Sequence, residues 1–276
     1  MNAQDRHRFQ DDGFLVLPGF ASRRQVETLR RRANEIVAQF DPQQGRSIFT
    51  TRNQAKHSDD YFLGSADKIR CFFEEDAFDE NGELKQPKEL SINKIGHALH
   101  DLDAVFERFS RNAGVRAVAA PLTVDPLLYQ SMYIFKQPQI GGEVNCHQDE
   151  SFFQTDPPSD VTFWFALENA DRTNGCLWVQ PGGHRTPLRE RFVICDGQAS
   201  LEKIDSTPWP DADSIVPLEV EQGALVVFHG RLPHYSAPNR SQQSRHAYTL
   251  HVVDGRAKYS ALNWLQRGPH LPARGF

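Results

Sequence analysis

The sequence lacks several features by which whole classes of protein are recognised. Its four cysteines stand singly, at Cys71, Cys146, Cys176 and Cys195. No CxxC pair therefore marks a zinc ribbon or a redox dithiol, and we expect reduced, buried thiols. Methionine is nearly absent, with two residues, whereas 19 phenylalanines and four tryptophans are available. The interior is therefore expected to be stiff and aromatic.

Long apolar runs and long blocks of one charge are also missing. No stretch approaches the roughly 20 apolar residues of a membrane span, and the N-terminal MNAQDRHRFQ lacks the apolar core of a secretory signal. The net charge of −5 is spread along the chain, which argues against nucleic acid or an anionic membrane as a partner. The sequence therefore predicts a soluble, cytoplasmic protein, and its oligomeric state cannot be read.

The first 125 residues are predicted to be mostly helical. Two helices flank the apolar stretch GFLVLPGF, and the second begins at Ser22 with Gln25 in the capping-box position. Its arginines could form a phosphate-binding patch, but an apolar stripe at helical spacing favours a solvated helix face. DENGEL predicts a loop or short hairpin. SINKIGHALHDLDAVFERFSRNAGVRAVAAPL is expected to be helical for much of its length.

From about residue 128 the pattern becomes typical of strands. The apolar segments are short, rich in β-branched and aromatic residues, and separated by Gly, Pro, Asn and Asp; they are LYQSMYIFK, VTFWFALE, GCLWVQPG, GALVVFHG and HAYTLHVVD. Such a series predicts a sandwich, a jelly roll or a barrel. No repeat, linker or break in composition divides the chain. We therefore expect one domain over residues 1–276, with a mostly helical lead-in at 1–125 and a β core at 126–276.

A candidate metal site begins in the stretch NCHQDESFF. If this stretch is a strand, His147 and Asp149 share one face and can bind the same cation. The H-x-D pattern alone is weak, because a lone buried histidine is more often hydrogen-bonded in a core. FHGRLPHYS adds His229 and His234 after another predicted strand. Two imidazoles and one carboxylate form the facial triad of non-haem Fe(II) oxygenases, but spacing leaves open which of these two histidines completes it.

Arg245 follows the turn-forming SAPNRS. Such a turn lets the next strand run back antiparallel and carry Arg245 into the same cavity as the histidines. A planar guanidinium can bind a carboxylate bidentately. The alternative is an ordinary surface ion pair with Asp or Glu.

These residues together resemble the phytanoyl-CoA dioxygenase family of Fe(II)- and 2-oxoglutarate-dependent oxygenases. The resemblance rests on H-Q-D, a distal H, S-x-P-N-x-S and R in this order. It extends to QDDGFLVLPGF, SINKIGHALH, QSMYIFKQPQIGGEV and NGCLWVQPGGH, and covers the chain from about residue 9 to NWLQ at 263–266.

The resemblance implies a fold and a set of site residues. The fold is a double-stranded β-helix, a form of jelly roll. The implied iron ligands are His147, Asp149 and His234, which decides against His229, and Arg245 is implied to bind the distal carboxylate of 2-oxoglutarate. Further cosubstrate contacts are implied for Lys94, Met132, Trp164 and Ser236. Because the segment after Asp149 is about one residue short, Phe163 and Phe165 are alternatives to Trp164. His184 in PGGH is expected to be a loop hydrogen-bonder.

The implied reaction is hydroxylation of a small organic substrate by dioxygen, with release of succinate and CO₂. Family members that halogenate lack the carboxylate, so Asp149 favours a hydroxylase. Two other classes stay open: a non-catalytic metal-binding cupin-like module, and a zinc hydrolase. The hydrolase would need a general base near the metal, and Glu150, although adjacent in sequence, is expected to face away from Asp149 on a strand. Arg245 and Lys94 favour the oxygenase, because a metal binder needs no cationic anchor. The sequence shows no clear basic patch for a CoA ester, so the substrate is not identified.

Overall fold

The computed structural model describes residues 1–51 and 58–276. In these residues the helices are α1 (Ala3–Asp12), α2 (Arg23–Gln39), α3 (Asp60–Leu63), α4 (Leu99–Leu102), α5 (Ala104–Ser110) and α6 (Ala113–Ala119). Short 3-10 turns lie at Pro42–Gln44, Lys88–Leu90, Asp149–Ser151 and Gly183–Arg185. None of the helices in the described ranges is both long and apolar enough to span a bilayer.

The strands form two facing sheets and two separate two-stranded pairs. They are β1 (Phe14–Leu17), β2 (Ile69–Phe73), β3 (Ile92–His97), β4 (Pro126–Ile134), β5 (Val144–His147), β6 (Thr155–Asp156), β7 (Val161–Ala166), β8 (Leu177–Val179), β9 (Glu190–Cys195), β10 (Gln198–Lys203), β11 (Val216–Leu218), β12 (Leu225–His229), β13 (His234–Ser236), β14 (Ala247–Asp254) and β15 (Lys258–Tyr259). The separate pairs are β9 with β10 and β6 with β15.

The two main sheets have the strand order of a double-stranded β-helix. The larger sheet runs β1-β12-β7-β14-β4-β3-β2 and the smaller runs β11-β8-β13-β5. Between β4 and β14 the chain therefore passes repeatedly from one sheet to the other, and every neighbouring pair is antiparallel. Trp164 and Val226 of the larger sheet pack against Leu177 and Val179 of the smaller one. This confirms the predicted jelly roll.

Helices cover the outer face of the larger sheet. Val26 and Leu29 of α2 are buried in one cluster with Phe106 and Phe109 of α5 and with sheet residues such as Phe165. The second predicted helix is confirmed, because Ser22 and Gln25 form the expected reciprocal capping box. The turn at DENGEL is confirmed as well, since a bridge joins Phe78 to Leu84 across it.

Two expectations were wrong in detail. Ile92–His97, predicted as part of a helix, is strand β3, and all its residues are buried. A strand that is buried on both faces shows no alternation of apolar and polar residues, so its sequence does not distinguish it from a helix. The thiols are free, but only Cys71 and Cys176 are buried, whereas Cys146 is partly exposed and Cys195 is exposed.

Candidate active site

Two histidines from neighbouring strands of the smaller sheet face each other. His147 ends β5 and His234 begins β13, and the two residues are directly opposite in the antiparallel register. Their ring centroids are 4.2 Å apart. The register therefore places His234, and not His229, beside His147.

Backbone carbonyls fix the tautomers of both rings. Nδ1 of His147 lies 2.8 Å from the carbonyl oxygen of Asn145, and Nδ1 of His234 lies 2.9 Å from that of Leu232. A carbonyl oxygen can only accept, so each Nδ1 carries the hydrogen and each Nε2 keeps its lone pair. Burial lowers the pKa of His234 to about 4, with a further contribution from His147. Both Nε2 atoms are thus prepared to bind a metal.

Asp149 brings a carboxylate to the same point. The chain leaves β5 after His147, and Asp149 opens the 3-10 turn Asp149–Ser151. The condition that His147 and Asp149 lie on one strand is therefore not met. Oδ1 of Asp149 still lies 3.3 Å from Nε2 of His147 and 3.7 Å from Nε2 of His234. Burial opposes ionisation of Asp149, but the neighbouring histidines outweigh it and lower the pKa. These three residues form a group that could hold one metal ion.

A second layer of polar residues lies behind Asp149. Thr162 on β7 donates to Oδ2 of Asp149 at 2.6 Å. Nδ1 of His251 on β14 lies 3.9 Å from the same oxygen and 3.8 Å from Oδ1 of Asp160. Burial raises the pKa of Asp160 to about 6. Sequence reasoning missed these residues. The sequence signal was weak, because Thr162 is a polar residue inside the apolar run VTFWFA and His251 is one of two polar residues in TLHVV.

Three residues weighed as alternatives lie elsewhere. Nδ1 of His229 accepts from the backbone N–H of Arg231 at 3.0 Å, and its ring packs on His184. His184 itself contacts the carbonyl oxygen of Gln10 through Nε2 at 3.2 Å, as expected for a loop residue. Glu150 is buried in a two-point ion pair with Arg231, at 2.9 and 3.1 Å.

A cavity of about 950 Å³ opens from the triad between the two sheets. Arg245 lines it while being only 2% exposed. Its Nε donates to the carbonyl oxygen of Gly175 at 3.1 Å and its Nη2 to Oγ of Ser236 at 3.4 Å. Nη1 is buried and has no hydrogen-bond partner among the described residues. Burial lowers the pKa of Arg245 to about 10, which leaves it cationic at neutral pH. The cavity wall therefore contains a cation with one N–H group that is unsatisfied within the described residues.

The other residues implied by the resemblance also line this cavity. Lys94, Met132, Trp164 and Ser236 all contribute to its wall. Nζ of Lys94 lies 3.7 Å from Sδ of Met132, and the guanidinium carbon of Arg245 lies 5.3 Å from the ring centroid of Trp164. The alternatives Phe163 and Phe165 belong instead to the core cluster under the helices. Lys136, which sequence reasoning missed, is buried beside Arg245 and lines the same wall.

The chain belongs to the phytanoyl-CoA dioxygenase (PhyH) family, whose pattern matches residues 9–247. It is 46% identical over 261 residues to a phytanoyl-CoA dioxygenase of Arabidopsis thaliana, and the aligned residues cover 94% of this chain and 91% of that protein. It is also 46% identical over 275 residues to phytanoyl-CoA dioxygenase domain-containing protein 1 of Bos taurus. Here the aligned residues cover 96% of this chain and 94% of that protein.

A solved structure has the same fold. The epimerase SnoN, determined in complex with Fe³⁺, alpha ketoglutarate and nogalamycin RO, superposes with a TM-score of 0.65 over 98% of this chain and 91% of its own. The two sequences are 16% identical. At that identity the likeness concerns the fold.

Proposed function

We propose that this protein is an Fe(II)- and 2-oxoglutarate-dependent dioxygenase that hydroxylates a small organic substrate and releases succinate and CO₂. Membership of the PhyH family supports the class, and SnoN, which has the same fold, was solved with iron and alpha ketoglutarate. The observation that carries the proposal is the presence, in one cavity, of the His147–Asp149–His234 group and of Arg245, whose Nη1 has no hydrogen-bond partner among the described residues. The predicted cytoplasmic location belongs to the same proposal.

The donor atoms suit ferrous iron. Two imidazole Nε2 atoms and one carboxylate oxygen are the set that non-haem Fe(II) oxygenases use while leaving positions open for other ligands. The carbonyls of Asn145 and Leu232 hold the two rings in the ligating tautomer. When bound, iron and 2-oxoglutarate together supply the chemistry that activates dioxygen.

Arg245 gives the cavity a binding point for a dicarboxylate. A buried guanidinium whose Nη1 has no partner is costly unless an anion completes its hydrogen bonds. Ser236 presents its hydroxyl beside it, but that hydroxyl already donates to the carbonyl oxygen of Gly175 at 2.8 Å. We assign the distal carboxylate of 2-oxoglutarate to Arg245, and contacts along the cosubstrate to Lys94, Met132, Trp164 and Ser236.

The alternatives explain fewer of these features. A metal-binding module without turnover needs neither Arg245 nor a cavity of this size. A zinc hydrolase needs a free general base near the metal. Glu150, the candidate from sequence, is held by Arg231 in a bidentate pair.

Succinate formation tests the proposal. Purified protein is incubated with Fe(II), 2-oxoglutarate and air, alone and with a library of small organic molecules. We expect succinate that depends on iron and oxygen, that rises above the uncoupled background with a true substrate, and that is absent in His234→Ala. Zinc is expected to occupy the site without supporting turnover. Succinate formation with zinc alone, or none with iron, would contradict the proposal.

A further inference from the structure

The cavity has a second polar position far from Arg245. The backbone N–H of Arg245 bonds the carbonyl oxygen of Lys136, just beyond the end of β4. His97 on β3 is opposite Ser131 on β4. Ser131 and Lys136 are five residues apart, so at ~3.3 Å per residue the positions of His97 and Arg245 are separated by about 16 Å along the strand direction. His97 also lines the cavity, so it is placed for the substrate and not for the distal carboxylate of the cosubstrate.

Aromatic rings surround His97. The imidazole meets Phe62 edge-on at 5.4 Å and Trp264 at 5.1 Å, measured between ring centroids, and Phe72 lies 5.4 Å away. Phe62 and Trp264 stack on each other at 4.7 Å and both line the cavity. This end of the cavity therefore suits an apolar or aromatic molecule, and His97 adds a polar group among the rings.

The hydrogen-bond partners determine which nitrogen of His97 can accept. The hydroxyl of Ser65 donates to the carbonyl oxygen of Phe62, so its oxygen is left to accept. It lies 2.8 Å from Nδ1 of His97. Nδ1 must then carry the ring hydrogen, and Nε2 carries the lone pair. Among the described residues Nε2 has no hydrogen-bond partner.

We propose that His97 binds the substrate of the oxygenase proposed above, accepting through Nε2 a hydrogen bond from a hydroxyl or uncharged N–H group on a largely apolar molecule. As substrate recognition, this rests on the proposed function. Gln130 supports the assignment independently, because its side chain lines the same cavity, is 4% exposed and makes no hydrogen bond within the described part of the chain.

The surroundings keep His97 an acceptor. Burial, and then the neighbouring Lys94, lower its pKa well below the usual value, so the ring is neutral at physiological pH. The lone pair of a neutral imidazole in an apolar wall favours the binding of a group that donates a hydrogen bond. It disfavours a carboxylate or phosphate, which would face the lone pair directly and lose its hydration.

The test uses two probes with one apolar body, 6-phenylhexan-1-ol and its methyl ether. Calorimetry on the metal-free protein measures both affinities, so the result does not depend on turnover. We expect the alcohol to bind wild type about three- to tenfold more tightly than the ether, the effect of one net hydrogen bond. The ratio of the affinity for the alcohol to the affinity for the ether should fall to about one in His97→Phe, which keeps the aromatic packing.

Ser65→Ala provides a second variant that does not touch the cavity wall. Without the Ser65 oxygen the ring hydrogen is free to move to Nε2, which can then donate to the ether, so the ratio should fall there as well. Ser110→Ala is the matched control, since Ser110 also bonds a carbonyl and a ring substituent but lies among the helices. Its ratio should equal that of wild type.

Several outcomes would overturn the assignment to His97. They are equal binding of the two probes by wild type, binding of neither probe, or a ratio that both variants leave unchanged. If thermal melts show that His97→Phe does not fold, Ser65→Ala decides. Binding of 2-oxoglutarate to the Mn(II)-loaded wild type is measured separately. If 2-oxoglutarate does not bind, the proposed function is contradicted, whereas the measured ratio of the two probe affinities is unaffected.

Discussion

Thr162 donates its hydroxyl hydrogen to Oδ2 of Asp149 at 2.6 Å, whereas Oδ1 is the oxygen that faces the two histidine Nε2 atoms. The hydroxyl thereby fixes how the carboxylate is turned. Replacing a residue that orients a metal ligand in this way typically lowers the metal affinity roughly 10- to 100-fold.

Thr162→Val removes this hydrogen bond at nearly constant volume. We expect the affinity for Fe(II), or for Mn(II) as an air-stable substitute, to fall about tenfold. Thr162→Ser keeps the hydroxyl and should bind as wild type does. The measurement is anaerobic metal titration by calorimetry. Wild-type affinity in Thr162→Val would show that Asp149 is oriented by other contacts.

His234→Ala should abolish Fe(II) binding, whereas His229→Ala should retain it. The reason is the register, because His234 is opposite His147 and His229 is bonded to Arg231 instead. Metal content after anaerobic reconstitution and desalting distinguishes the two variants. Loss of iron in His229→Ala with retention in His234→Ala would reverse the assignment.

Acid should destabilise the protein through His246. Burial lowers its pKa to about 4, compared with about 6.5 in an unfolded chain. Between these values the unfolded chain binds a proton that the folded one does not. The free energy of unfolding should therefore fall as the pH is lowered from about 6.5 to about 4, by up to ~3 kcal/mol for this residue. Urea unfolding is measured at several pH values in this range. The free energy of unfolding should change less with pH in His246→Gln than in wild type, and an identical pH dependence would contradict the assignment.

Asp101 should be important for stability. Its side chain is fully buried and pairs with Arg111 at 2.6 Å, with Arg274 at 3.0 Å and with Arg267. Asp101→Ala leaves the buried Arg267 without its counter-charge and should cost about 3–5 kcal/mol in urea unfolding. Glu27→Ala, which breaks an exposed pair with Arg23, is the control and should cost less than about 1 kcal/mol. Similar losses in both variants would contradict this role of Asp101.

The short, aromatic strands separated by turn residues predicted a sandwich, a jelly roll or a barrel, and the family resemblance selected the jelly roll among them. The same pattern could not choose between His229 and His234, since both follow one apolar strand and only the pairing with β5 separates them. The family resemblance made that choice. Arg245 could be proposed from its turn, but its unpartnered Nη1 depends on packing that spacing does not report.

The predictions failed where burial hides the periodicity. The apolar positions Ile95, Leu99 and Leu102 fit a helix, yet the first is in strand β3 and the others are in helix α4. His97 and Thr162 carried no motif, because Thr162 is a single polar residue in an apolar run and His97 is one of several polar residues in SINKIGHALH. Their roles follow from neighbours that are distant in sequence.

The most direct test of the central claim is the binding of 2-oxoglutarate to the iron-loaded protein under anaerobic conditions, for wild type and Arg245→Lys. The lysine keeps the charge but removes the planar fork, and a hydrogen bond to a charged group is worth about 1.5–3 kcal/mol. Binding is followed by charge-transfer absorbance. We expect saturable binding of 2-oxoglutarate by wild type and an affinity reduced about tenfold or more in the variant, because about 1.4 kcal/mol corresponds to one decade in affinity. Fe(II) binding should be unchanged. Equal affinities would show that Arg245 is not the anchor, and no binding by either protein would contradict an oxygenase.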